Sequence, residues 1–113
     1  MTQRQTLPAR RLTETFEIVH ADKPYTVSVG FFSAPHVPEL GRIPAEVFIS
    51  NTKAGSDVEG VARDGAVILS IAMQYNVPLD VIAGAITRTQ DGKPATIVGA
   101  VVDQLVKETG RWL

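Results

Sequence analysis

Residues 45–72 read AEVFISNTKAGSDVEGVARDGAVILSIA, and within them the chain changes its apolar period. Residues 45–50 alternate in the manner of a half-buried strand. From Val58 onward, apolar or small residues recur at Val61, Ala62, Gly65, Ile68, Leu69 and Ala72, the 3.6 spacing of a helical face. Val67 and Ile71 widen that stripe, so the second half of the helix is expected to be covered on most sides. The switch from period two to period 3.6, with strands before it and helices after it, predicts an α+β domain.

Working towards the N-terminus, LTETFEIVH puts Leu12, Phe16 and Ile18 on one face. YTVSVGFF does the same for Tyr25, Val27, Val29 and Phe31. Asp22, Lys23 and Pro24 supply turn chemistry between these runs, which predicts an antiparallel hairpin. The strands are expected at about 12–20, 25–32 and 45–50, forming a three-stranded antiparallel meander. A proline-rich connection over residues 33–44 links the last two.

Working towards the C-terminus, helices are expected at about 57–75, 78–88 and 96–108, packed on one face of the sheet. Asn76 and Val77 break the first. The second buries Leu79, Ile82, Ala83 and Ile86, and Thr96 caps the third. Gly60, Gly65, Gly84 and Gly99 fall inside these helices at about 1 kcal/mol each against alanine. Close approach by the sheet, a neighbouring helix or a second subunit is the simplest reason to carry them. At Gly60 a ligand is a further alternative. The division is a flexible basic arm over residues 1–11 and one domain over 12–113.

The bulk properties narrow the function classes. The chain has 113 residues and a formal net charge of −1, without the basic excess of a general nucleic-acid binder. It has no cysteine, which excludes disulfides, thiolate metal sites and cysteine nucleophiles. The polar N-terminus shows no apolar signal region, and no apolar run is long enough to span a bilayer. A cytoplasmic protein away from membranes is expected. His20 and His36 have no spacing that suggests a metal site, and no cofactor is expected. No carboxylate pair or nucleophile motif points to catalysis.

One loop stands out as a candidate site. Ser56 and Glu59 match the S-x-x-E capping box, a structural role that explains both. Asn51, Lys53 and Gly55 are left over. With Ser56, and with Arg63 one turn further on, they form a candidate anion-binding set at a helix start. Asp57 and Glu59 oppose a phosphate there, and the lysine precedes the glycine, unlike a P-loop. Arg63 has its own alternative, an i,i+4 pair with Glu59.

Residues 45–86 carry a further signal. A short E-V-F-I strand, the K-x-G-S loop at Lys53, Gly55 and Ser56, a helix rich in small residues and a Q-Y-N-V-P-L break follow one another. This order resembles the TSCPD-type domain of adenosylcobalamin-dependent ribonucleotide reductases, and the likeness extends over roughly residues 10–107. The resemblance implies a small stand-alone relative of that domain. The reductases' barrel and catalytic cysteines have no counterpart here, so no autonomous activity is implied. What it implies is a non-catalytic accessory module binding a nucleotide-like anion or a partner protein such as a reductase. The alternative is a structural, homo-oligomeric assembly protein with no small-molecule ligand.

Overall fold

The computed structural model describes residues 3–32, 43–51 and 56–112. Its elements run β1 (Thr13–His20), β2 (Lys23–Phe31), β3 (Pro44–Asn51), α1 (Asp57–Gln74), α2 (Leu79–Ala85) and α3 (Ile97–Trp112). The strands form one antiparallel sheet in the order β1-β2-β3, as the alternation predicts. The turn between β1 and β2 is Ala21–Asp22, with φ of 51° and 64°. Two successive positive φ values match the right-handed twist of a hairpin, and Lys23 and Pro24 are thereby drawn into β2.

One face of the sheet presents Tyr25, Val27, Val29, Phe31, Val47 and Ile49 to the helices. Ala62, Ala66, Leu69 and Met73 of α1 meet them, together with Ile97, Val101, Val102 and Leu105 of α3. Removing these side chains from water is the main favourable term in folding. On the opposite face Thr15, Glu17, Thr26, Phe48 and Ser50 are exposed, and Thr15 Oγ1 lies 3.0 Å from Ser28 Oγ. Helix α2 has no fully buried residue; Leu79, Ile82 and Ala83 are only partly buried against the core.

The inward face of α1 differs from the one its apolar spacing predicts. Val61 and Ile68, expected inside, face solvent, and so do Val67 and Ile71, expected to be covered. The polar Ser70 and Gln74 are buried instead. The reason is the outer edge of β3. Ser70 Oγ accepts from the Val47 N–H at 2.8 Å, and Gln74 Nε2 donates to the Ala45 carbonyl at 3.0 Å. A buried strand edge must satisfy its backbone groups, and this requirement sets the rotation of the helix.

The ends of α1 follow local rules. Ser56 Oγ accepts from the Glu59 N–H at 3.1 Å, the first half of the capping box. Asn76 ends the helix in the left-handed region, φ 64°. In the middle of α1, Gly65 lets α3 approach: a Cβ there would lie 2.6 Å from Val98 Cγ2. Gly99 likewise sits against Ile86 and Pro94, whereas Gly60 and Gly84 border open space.

Residues 3–11 carry no regular secondary structure. Gln5 N–H donates to the Gln74 carbonyl at 2.7 Å, and Arg4 Nε to Gln74 Oε1 at 2.6 Å. Arg11 Nε pairs with Glu46 Oε2 at 2.6 Å. Between α2 and α3, Arg88 makes a two-pronged contact with Asp103 at 2.8 and 2.9 Å and also donates to the Ala83 and Gly92 carbonyls. The hydrogen bonds from Arg88 hold the Asp103 carboxyl below its ordinary pKa.

Candidate functional site

The sheet has one end where three elements begin or turn: the β1–β2 hairpin, the start of α1 and the start of α3. A cleft of about 390 Å³ lies between them. Its walls are mostly apolar, formed by Tyr25, Val58, Val61, Ala62, Ile97 and Val98. His20, Lys23, Asp57 and Thr96 add polar groups.

Local sequence explains each placement. The tight Ala21–Asp22 turn leaves Lys23 directly opposite His20. His20 Nε2 lies 3.2 Å from the Ala95 carbonyl, which pins the end of β1 against the start of α3. Thr96 Oγ1 accepts from the Gly99 N–H at 3.0 Å and caps α3, as its sequence predicts. Tyr25 belongs to the alternating core face of β2 and enters the cleft from below.

Two helix starts therefore border one cleft. The first N–H groups of a helix have no intrahelical partner and carry partial positive charge. In α1 this charge is offset by Asp57 and Glu59 in the first turn. In α3 the first turn has no acidic residue.

Of the predicted site residues that the structure describes, Asn51, Ser56 and Arg63, none lines this cleft. Asn51 is the last residue of β3 and pairs in register with Tyr25. Ser56 is occupied as the cap of α1. Arg63 lies 3.9 Å from Glu59, the expected i,i+4 pair, and lines a separate cleft beside β3 with Phe48, Ser50 and Val67. Lys53 and Gly55 lie outside the described residues, as does His36.

Sequence reading passed over Lys23, Tyr25 and the α3 start. Lys23 reads as a turn residue and Tyr25 as core, and only the fold brings them together. Among the described residues, no three His, Asp or Glu side chains group as metal ligands, and no helix is long and apolar enough to cross a membrane.

A second feature is the outer surface of α1. Val67 is 56% exposed, Ile68 69% and Ile71 38%. Phe48 of β3 is exposed beside Val67 in the cleft that Arg63 lines. On the other flank, an entirely apolar groove of about 290 Å³ runs past Gly65, Ile68, Ala72, Ile82, Ile86 and Val98.

Comparison with known proteins gives two matches. The TSCPD domain family matches residues 3–108. The vitamin B12-dependent ribonucleotide reductase of Rhodopirellula baltica is 34% identical over 118 residues, covering 98% of this chain and 10% of that protein. The chain thus spans about a tenth of the length of that curated relative. No solved structure gives a significant match.

Proposed function

The chain belongs to the TSCPD domain family, and on that premise we propose that it is a non-catalytic accessory module that docks on a vitamin B12-dependent ribonucleotide reductase. The observation that carries this reading is the outer face of α1. Over Ala66–Met73 α1 is apolar nearly all round, a pattern normally enclosed by protein, yet Val67, Ile68 and Ile71 face solvent. Covering each of them contributes about 1 kcal/mol. In the Rhodopirellula baltica relative the matching segment is one tenth of a much longer reductase, which supports a reductase chain as the covering partner.

A second reading, a homo-oligomer, draws on the same face, because an apolar patch can also be covered by its own copy. One pair of measurements separates them. Interferometry tests binding to a purified vitamin B12-dependent ribonucleotide reductase, and light scattering tests self-association. Both use the native chain and a Val67→Asp, Ile71→Asp double variant checked for an unchanged circular dichroism spectrum. A micromolar reductase complex lost in the variant supports the accessory role. A dimer lost in the variant supports assembly. A native chain that stays monomeric and binds no reductase overturns both.

A further inference from the structure

The cleft at the sheet end has a chemistry that packing and capping leave unexplained. We infer that it binds a small organic anion. The charged group lies by Lys23, the Tyr25 hydroxyl and the start of α3. The apolar body lies along Val58, Val61 and Ala62.

Tyr25 carries the argument. The residue is only 3% exposed and lines the cleft. Among the described residues its hydroxyl makes no hydrogen bond, although no fully buried side-chain N or O there lacks a partner. The small part of Tyr25 left open is therefore its hydroxyl, and the space it opens on is the cleft. Phenylalanine would fill the same core position, so packing alone does not call for the hydroxyl. The hydroxyl is accounted for by a partner that arrives from the cleft.

Charge fixes which end of the ligand goes where. Asp57 and Glu59 make the start of α1 unfavourable for an anion, while the start of α3 has no acid and shares the cleft with Lys23. An anionic oxygen there meets a cation, a hydroxyl donor and a helix start. Apart from His20, Asp57 and Thr96 the remaining wall is apolar, which favours an anion with an apolar body over inorganic phosphate alone. About 390 Å³ falls in the usual range for small-molecule sites, about 300–1,000 Å³. This cleft is separate from the outer face around Val67 and Ile71, so the inference is independent of the docking role.

Titration of the ¹⁵N-labelled chain tests it, with phenyl phosphate, benzoate and AMP as probes and with inorganic phosphate and phenol as their halves. At least one organic anion is expected to shift the amides of Lys23, Tyr25, Ile97 and Val98, and to bind about 10-fold more tightly than either half. The arms also distinguish a carboxylate from a phosphate. Tyr25→Phe is expected to weaken binding about 10-fold, in line with the loss of a hydrogen bond to a charged group. Its melting temperature is expected to be unchanged or raised, because the ring stays buried. Lys23→Ala weakens binding as well, and the Val67→Asp, Ile71→Asp variant leaves it intact. The inference is overturned if no organic anion shifts these amides at about 10 mM, a concentration that reveals even millimolar affinity. It is equally overturned if inorganic phosphate binds as tightly as the organic anions. Unchanged binding by Tyr25→Phe, or a marked loss of stability in that variant, also counts against it.

Discussion

Ser70 and Val47 are joined in both directions: the Ser70 hydroxyl accepts the Val47 N–H at 2.8 Å and lies 3.2 Å from the Val47 carbonyl. Its proton is shared with the Ala66 carbonyl, 2.8 Å away. Ser70→Ala removes a buried acceptor and leaves the Val47 N–H unpaired. A loss of about 1–3 kcal/mol is expected in urea denaturation. A loss below about 0.5 kcal/mol, the level of an ordinary surface change, would show that water replaces the hydroxyl.

Gly60 and Gly65 lie on the same helix and are expected to respond to alanine with opposite signs. At Gly60 a Cβ meets nothing within 4 Å, so the helix propensity of alanine prevails and adds up to about 1 kcal/mol. At Gly65 the Cβ would press on Val98 at 2.6 Å. Overpacking of about 1–3 kcal/mol then outweighs the propensity gain. Thermal unfolding of the two variants decides it, and a stabilised Gly65→Ala would refute the tight α1–α3 contact.

The Arg88–Asp103 pair predicts an acid-sensitive contribution to stability. Hydrogen bonds from Arg88 lower the folded pKa of Asp103 beneath its unfolded value, about 3.9. The contribution is fully present above that unfolded value and disappears as pH falls through the lower, folded one. Both side chains are partly exposed, about a third each, so the effect is modest. Asp103→Asn is expected to melt below the native chain at pH 7, with the gap closing towards pH 2. A gap independent of pH would assign the loss to packing.

Gly30 leaves the space that the Glu46 side chain occupies on its way to Arg11. A Cβ at Gly30 would lie 2.7 Å from Glu46 Cγ. Gly30→Ala and Glu46→Ala are both expected to release Arg11 and to speed tryptic cleavage after Arg10 and Arg11. Equal cleavage rates in native and variant chains would exclude a role for the pair in holding residues 3–11.

The strands, their pairing and the helix order follow from periodicity and turn residues, because alternation in β2 and β3 and the caps at Ser56, Asn76 and Thr96 are local signals. The orientation of α1 does not follow. In its second half apolar residues surround the helix, so spacing alone cannot select a buried arc there. Two polar side chains, Ser70 and Gln74, select it through the unpaired backbone of a strand about 25 residues away. The cleft residues escape notice for a related reason. Lys23 and Tyr25 are separated from Thr96 by most of the chain, and no spacing rule links them.

The lock that α1 places on β3 has a consequence for assembly. Unlimited growth of a sheet from copy to copy requires two usable margins per molecule, one to receive and one to offer. Here the margin at Ala45 and Val47 is already spent on Gln74 and Ser70. At these two residues β3 therefore offers no free backbone group to an incoming strand, and edge-to-edge growth through this half of β3 is hindered.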